Sequence, residues 1–214
     1  MLSEEFFEKL KQSILPHFEE TGGHEIEHTE RVYRLCLTIA KTEKIDLDII
    51  RAAALLHDIA RKKQEEMNNT ICHADEGAKM ARELLTEVEF PKEKIDEVSY
   101  AIKVHRYSTK IKPDTKEAQI LQDADRLDSL GATIIARCFA FNGKRNIRTY
   151  DPLIPPNKDH KDKQTTAVNF FYEKILKLKP ETFNTKKGIE IAKLRYDFVQ
   201  EFLERFIKEW KGEE

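Results

Sequence analysis

Residues 52–60 read AAALLHDIA, an apolar run that ends in a histidine and an aspartate side by side. An aspartate at position 46 or 48 can cap a helix that runs through this stretch and ends near His57 and Asp58. The small and apolar side chains predict a buried helix, in which an aspartate without a partner would be costly. A metal ion would satisfy both polar residues. The alternative is a polar pair at a helix end, where the helix dipole favours histidine.

Helical spacing of apolar residues continues along most of the chain, glycine and proline are scarce at seven each, and alternating strand patterns of useful length are missing. We therefore predict an all-α protein with one domain over residues 1–214. Its metal-site core covers about 20–130, an irregular loop follows at about 142–163 as a potential lid, and C-terminal helices cover about 164–212. The expected helices lie near residues 3–19, 24–40, 46–60, 73–86, 91–106, 115–129, 132–142, 165–178 and 186–211.

Composition excludes several classes of protein. The 214 residues are 40% hydrophobic and 36% charged, with a formal charge of −2 and a pI near 6.4. A general nucleic-acid binder would carry a basic excess, so we expect no nucleic-acid partner. No apolar run could span a membrane and the first residues are acidic rather than signal-like, which predicts a cytoplasmic protein without a membrane partner. Three widely spaced cysteines predict free thiols.

Histidines and acids concentrate in the first 130 residues. Five of the seven histidines fall between positions 24 and 105, which favours a metal or phosphate site. Asp125 stands in the segment QDADRLD at 122–128, on a predicted helix, and its spacing from Leu121 places it nearer the core than Asp123. Asp128, one turn further, could orient a ligand.

Two other patterns offer competing interpretations. Residues 24–28 read HEIEH, the HExxH spacing of zinc peptidases, with Glu25 as a base. The glycines at 22 and 23, however, place His24 at a helix entrance, and this interpretation leaves His57 and Asp125 without a role. Cys72 beside His73 could be a nucleophile and its base, although such partners meet in space rather than in sequence.

Taken in order, His28, the pair His57-Asp58 and Asp125 resemble the H...HD...D signature of the HD-domain metal-dependent phosphohydrolases. The resemblance covers about residues 20–152. It extends to the segments around them, which look like the bacterial and archaeal branch that contains nucleotide pyrophosphohydrolases: HxxxHxxRV at 24–32, AxLLHDI at 53–59, CHAxxGA at 72–78, LQDADRLD at 121–128 and the Tyr150-Asp151-Pro152 loop. The implied fold is an HD-domain helical bundle with extra C-terminal helices.

The resemblance implies that His28, His57, Asp58 and Asp125 bind one divalent ion. Four protein ligands would close a tetrahedral zinc site, so a catalytic ion should be six-coordinate; Mn(II) is favoured, with Ni, Co, Fe or Mg possible. Such an ion would activate water and neutralise phosphate oxygens. Further histidines raise the possibility of a second metal, but the sequence lacks the GYP segment of the cyclic-dinucleotide phosphodiesterases, and we expect a mononuclear site.

Roles for other residues follow by position. Asp58 and His73 are the predicted catalytic groups. Residues that could hold substrate phosphates lie beside the ligands, because guanidinium forks and imidazoles match phosphate oxygens: His24, Arg31, Arg61, His105 and Arg126.

The expected reaction is hydrolysis of a nucleoside or deoxynucleoside triphosphate to monophosphate and pyrophosphate. The alternatives are a nucleotidase or phosphatase that releases inorganic phosphate, a phosphodiesterase, and a catalytically silent HD domain with a structural metal that serves as a partner-binding module. The stripe of Tyr196, Val199, Leu203, Phe206 and Trp210 on the last helix could form core packing or the surface of a homodimer.

Overall fold

The computed structural model describes residues 1–18, 26–158 and 165–213. Within those ranges the chain forms ten α-helices and no β-strand, which confirms the predicted all-α class. The α-helices are α1 Glu4–Ile14, α2 Ile26–Ala40, α3 Leu47–Leu56, α4 Arg61–Glu66, α5 His73–Glu87, α6 Lys92–Val104, α7 Lys116–Asp128, α8 Ala132–Lys144, α9 Ala167–Glu173 and α10 Lys186–Lys211. None of these helices is long and apolar enough to cross a membrane.

The fold divides into two compact units, residues 1–125 and 126–214, with the boundary inside α7. In the first unit α3 is the central helix. The side chain of Asp46 caps its N-terminus by accepting from the amides of Asp48 and Ile49. Every residue of α3 from Asp48 to Leu56 is buried, as the run of alanines and leucines predicted, and α3 packs against α2 and α6, while α5 packs against α6.

Two helical segments differ from the prediction. Residues 61–66 form the short helix α4, where the sequence showed only a basic stretch. Helix α8 runs through Asn142 and Gly143 to Lys144, although that dipeptide predicted its end. The Asn142 side chain is buried and donates to the carbonyl oxygen of Cys138 at 2.7 Å, so an intrahelical bond replaces the turn that asparagine and glycine usually signal.

In the second unit the last helix is α10, capped by Thr185 at its start and by Gly212, at φ +71°, at its end. An aromatic cluster joins α8, α9 and α10 and includes Phe139, Phe171, Phe202 and Phe206. The predicted α10 stripe therefore contributes to packing: Val199 and Leu203 are buried, and Phe206 contacts Trp210.

The irregular segment predicted at about 142–163 is hydrogen-bonded to α9 in its described part. The amides of Ala167 and Val168 donate to the carbonyl oxygens of Arg148 and Thr149, at 2.8 and 3.0 Å. Asn169 donates to the carbonyl of Ile154 at 3.0 Å. These hydrogen bonds hold the polypeptide after α8 against one helix, and the predicted role of this segment as a lid stays a prediction.

Candidate metal centre

Asp58 and four of the histidines singled out in the sequence stand at the ends of helices in the first unit. His28 lies in the first turn of α2, and His73 is the first residue of α5. His57 and His105 are the C-terminal caps of α3 and α6, and Asp58 follows His57 directly. Helix ends leave backbone groups without intrahelical partners, which suits them to hold polar side chains in an otherwise apolar core.

The four ligands implied by the sequence lie close together around His28. Its Nε2 atom lies 3.3 Å from Nε2 of His57, 3.3 Å from Oδ1 of Asp125 and 3.8 Å from Oδ2 of Asp58. Two ligands in neighbouring positions around a first-row ion are about 3 Å apart, so these separations are near those of a bound set. In the described part of the chain, His28, His57 and Asp125 form one of two potential metal-holding groups.

Asp58 connects this group to a second one. Its other oxygen, Oδ1, lies 3.4 Å from Nε2 of His73 and 3.8 Å from Nε2 of His105. Asp58, His73 and His105 are all buried, and they form the second group in which three donor atoms lie within reach of one ion. Asp58 therefore turns one oxygen toward each cluster, and the histidine rings form a continuous row in the order His28, His57, His105, His73 with centroids 5.3–5.4 Å apart.

Local hydrogen bonds determine which ring nitrogens face the carboxylates. Nδ1 of His57 lies 2.9 Å from the carbonyl oxygen of Ala54, and Nδ1 of His105 lies 2.6 Å from that of Ile102. A carbonyl can only accept, so both Nδ1 atoms carry a proton, and in the neutral imidazole Nε2 then presents a lone pair. Each Nε2 faces oxygens of Asp58, which also accept. Lone pairs that face one another in this way are satisfied by a cation between them. This set of nitrogen and oxygen ligands fits a divalent metal ion.

Burial and charge keep these groups in the protonation states that metal binding needs. Burial lowers the pKa of His57 to about 4 and that of His73 to about 3, so both imidazoles are neutral near pH 7. Burial opposes the charge of Asp58, but His57 and Arg61 outweigh it and hold the pKa of that carboxyl well below its usual range. For Asp125 the opposing effect of burial is outweighed by the hydrogen bond with His28, which lowers its pKa.

Of the residues predicted to hold substrate, Arg61 and His105 lie at this centre. The Nε atom of Arg61 is 3.8 Å from Oδ2 of Asp58, which leaves a guanidinium beside the carboxylate. Arg31 follows His28 by about one turn on α2 and is half-buried. His24 lies outside the described residues, as does the first half of the HExxH segment.

Arg126 makes its contacts in the second unit. Its Nη1 donates to the carbonyl oxygen of Thr182 at 2.8 Å, its Nη2 to the hydroxyl of the same residue, and its guanidinium stacks 3.9 Å over the ring of Phe183. These contacts hold the segment that precedes α10. The role of Arg126 in substrate binding stays a prediction.

Two expectations about the neighbouring acids have different outcomes. Asp123 is fully buried, whereas the Asp125 side chain is 29% exposed, so the expectation that Asp125 lies deeper was wrong. The reason is that α7 is buried around nearly its whole circumference, and a single apolar stripe does not mark its inner face. Asp128 accepts from Arg137 at 2.9 Å, and its role in orienting a ligand stays a prediction.

Sequence reasoning missed two polar residues around His73. Gln64 is a buried residue of α4. Its side-chain oxygen contacts both the backbone amide and the ring of His73. Arg106 contacts the sulfur of Cys72. Burial is the main cause of the low pKa of His73; the charge of Asp58 opposes it, and Arg61, His105 and Arg106 lower it further. Neither Gln64 nor Arg106 stands at a motif position, and only the folding of α4 against α5 brings Gln64 to the histidine.

Comparisons with known proteins agree with this geometry. The family described as "HD domain" matches residues 26–130. The uncharacterized protein YpgQ of Bacillus subtilis is 32% identical over 208 residues, which cover 94% of this chain and 90% of the relative. A crystal structure of an HD-superfamily hydrolase from Bacillus thuringiensis superposes with a TM-score of 0.76 at 33% identity, covering 97% of this chain and 98% of the other. A structure of Bacillus subtilis YpgQ in complex with ADP superposes with a TM-score of 0.73 at 27% identity. The match covers 96% of this chain and 95% of the other.

The helical fold and the histidine–carboxylate centre define a metal-dependent phosphohydrolase. The chain belongs to the HD domain family. The four residues that resemble the family's signature, His28, His57, Asp58 and Asp125, lie close together in the structure.

Proposed function

We propose that this protein hydrolyses nucleoside or deoxynucleoside triphosphates to the monophosphate and pyrophosphate, with one Mn(II) ion as its preferred cofactor. The observation that carries the proposal is the 3.8 Å separation of Arg61 Nε from Asp58 Oδ2, because a guanidinium suits phosphate oxygens and Asp58 is a proposed metal ligand. The ADP bound to a relative of the same fold supports a nucleotide as the substrate class.

His28, His57, Asp58 and Asp125 are the proposed ligands of the ion. A divalent ion held there supplies a Lewis acid that lowers the pKa of water and neutralises phosphate oxygens. The protein's own groups act beside it. Arg61 holds phosphate oxygens, because its guanidinium can form paired hydrogen bonds to them. His105 turns the lone pair of Nε2 toward the centre, so its proposed contact with the substrate runs through a water molecule that donates to it. Arg31, Arg126 and His24 are further proposed phosphate contacts.

Asp58 and His73 are the proposed groups that orient water and accept its proton. They lie 3.4 Å apart at their nearest atoms, and both are buried. His73 is neutral near pH 7, so its ring can accept a hydrogen bond from water and orient it, whereas a carboxylate that also holds an ion is a weak base. The proposed reaction consumes one water and releases monophosphate and pyrophosphate, so no other reactant is required.

The test incubates the protein with a panel of ribo- and deoxynucleoside triphosphates and ADP, with Mn, Ni, Co or Mg, and identifies the products. Pyrophosphate and monophosphate from the triphosphates, with AMP and phosphate from ADP, support cleavage between the α and β phosphates. Heavy-oxygen water then shows which phosphorus is attacked, because the label enters either the monophosphate or the leaving pyrophosphate.

Asp58→Ala should abolish turnover, and Asp96→Asn on the exposed surface of α6 is the matched control that should not. Release of inorganic phosphate alone from triphosphates would instead favour a phosphatase. A lack of turnover with all four metals would overturn the triphosphate proposal and favour the silent-domain alternative.

A further inference from the structure

The surroundings of His73 differ from those of the other histidines in the row. His57 and His105 donate from Nδ1 to a carbonyl oxygen of their own helices, three residues earlier. His73 begins a helix, so no preceding turn offers it such a carbonyl. Its Nδ1 atom instead lies 2.8 Å from Oε1 of Gln64, a side chain from the preceding helix α4.

The orientation of the Gln64 amide is determined by its other contacts. Oε1 also accepts the backbone N–H of His73 at 2.9 Å, and a backbone N–H can only donate. On the opposite side of the amide, Nε2 donates to Oδ1 of Asn69 at 2.8 Å. Asn69 has a φ of +60°, in the left-handed region that asparagine adopts more readily than most residues. The atom that faces Nδ1 of His73 is therefore an oxygen, and Nδ1 carries the proton.

The guanidinium of Arg61 does not compete for this nitrogen. Its Nη1 atom lies 2.9 Å from Nδ1 of His73 but also 3.4 Å from Nε2 of the same ring. A donor placed along the lone pair of one ring nitrogen would be much farther from the other. Arg61 thus packs over the face of the imidazole, a favourable arrangement for a cation, and leaves the in-plane direction of Nδ1 to Gln64.

We propose that Gln64 is a positioning residue that holds the proton of neutral His73 on Nδ1 and so turns the Nε2 lone pair toward Asp58. His73 is thereby a hydrogen-bond acceptor at the centre: Nε2 can accept a hydrogen bond from water and cannot donate one to a phosphate oxygen. Without Gln64, the Nε2–H form would be favoured, because Oδ1 of Asp58 lies 3.4 Å from Nε2 and accepts. The kinetic consequence rests on the proposed function, whereas the position of the proton does not.

The test determines which ring nitrogen of His73 is protonated, by two-bond ¹H–¹⁵N correlation NMR on metal-free protein in chelator. The resonances of His73 are assigned by their loss in His73→Asn. Wild type should show a protonated Nδ1 and an unprotonated Nε2. Gln64→Met keeps a similar volume but removes the acceptor, and should move the proton to Nε2. Gln64→Glu keeps an acceptor and should keep Nδ1 protonated.

Gln119→Met is the matched control for the same change at a distant glutamine of α7, and it should leave His73 as in wild type. A proton on Nε2 in wild type, or a proton that stays on Nδ1 in Gln64→Met, would overturn the proposal. The wild-type measurement decides even where a variant fails to fold.

Gln64 also caps the first amide of α5. If its role were only structural, its substitution would destabilise the protein without changing the tautomer of His73. With Mn and a hydrolysed nucleotide, Gln64→Met should lower kcat by roughly 10- to 100-fold and Gln64→Glu by less. If wild type shows no turnover, the proposed function fails while the NMR result still stands.

Discussion

Nε2 of His28 and Nε2 of His57 lie 3.3 Å apart, although the residues are 29 positions apart and belong to different helices. His57 cannot donate from this atom, because its proton is on Nδ1 and is bonded to Ala54. With Asp125 3.3 Å from the same His28 nitrogen, a cation is the group that best satisfies this arrangement.

Metal addition should therefore stabilise the folded protein. At a free Mn(II) concentration 100 times the dissociation constant, the free energy of unfolding should rise by about 2.7 kcal/mol. Asp125→Asn removes a charged ligand, and a tenfold loss of affinity would remove about 1.3 kcal/mol of that rise, and a larger loss more. Thermal unfolding of chelator-treated protein with and without Mn measures both values. Asp123→Asn, on the same helix but outside both groups, should keep the full rise; an equal rise in Asp125→Asn would contradict the assignment.

Metal-free protein should lose stability as the pH falls from 7 to 5. Burial lowers the pKa of His57 to about 4 and of His73 to about 3, below the ordinary value of 6.5. In this window the unfolded chain binds protons that the folded state does not, so stability is full above pH 6.5 and declines below it. Asp58 does not contribute to this pH dependence. Its pKa is lowered in the folded state, so its protonation differs between the folded and unfolded states only near and below its ordinary pKa of 3.8.

The expected loss between pH 7 and 5 is roughly 2–4 kcal/mol for the two histidines together. Urea unfolding at several pH values, in chelator, measures it. His73→Asn should flatten part of the slope. A stability that stays level or increases toward pH 5 would show that these imidazoles are not held neutral by burial.

Substitution at Gly131 should destabilise the protein. Its backbone has φ +84° and ψ −157°, a region almost confined to glycine, and a Cβ there would lie 3.1 Å from Cγ of Arg195. Gly131→Ala should lower the free energy of unfolding by about 1–3 kcal/mol. Gly143→Ala is the matched control, because that Cβ meets nothing within 4 Å and the residue is helical. It should leave stability unchanged or raise it by up to about 1 kcal/mol. Equal effects at both sites would rule out the backbone explanation.

Arg126→Met should distinguish the two roles considered for Arg126. Loss of the bonds to Thr182 and of the stack on Phe183 should lower the free energy of unfolding by roughly 2–4 kcal/mol. The exposed Arg82→Met should change it by less than about 0.5 kcal/mol. Denaturant unfolding gives these values, and KM for the hydrolysed nucleotide is measured in parallel. An unchanged stability with a tenfold higher KM would instead establish Arg126 as a substrate contact.

Much of this protein followed from its sequence because the signals are local. Helical spacing predicted the all-α class, the buried character of α3 followed from its run of alanines and leucines, and α10 begins and ends at the predicted Lys186 and Lys211. The ordered signature of His28, His57-Asp58 and Asp125 identified the family that the comparisons confirm.

The tertiary structure alone decided which atoms of these residues meet. Burial of Asp123 depends on what surrounds α7 on every side, and no periodicity within one helix reports that. The contact of Gln64 with His73 arises from the turn at Asn69 and the packing of α4 on α5. Ring tautomers likewise depend on single hydrogen bonds, to Ala54, Ile102 and Gln64. Sequence determined which chemical groups this protein has, and packing determined where their lone pairs point, because hydrogen-bond geometry is set in three dimensions by residues with no fixed spacing.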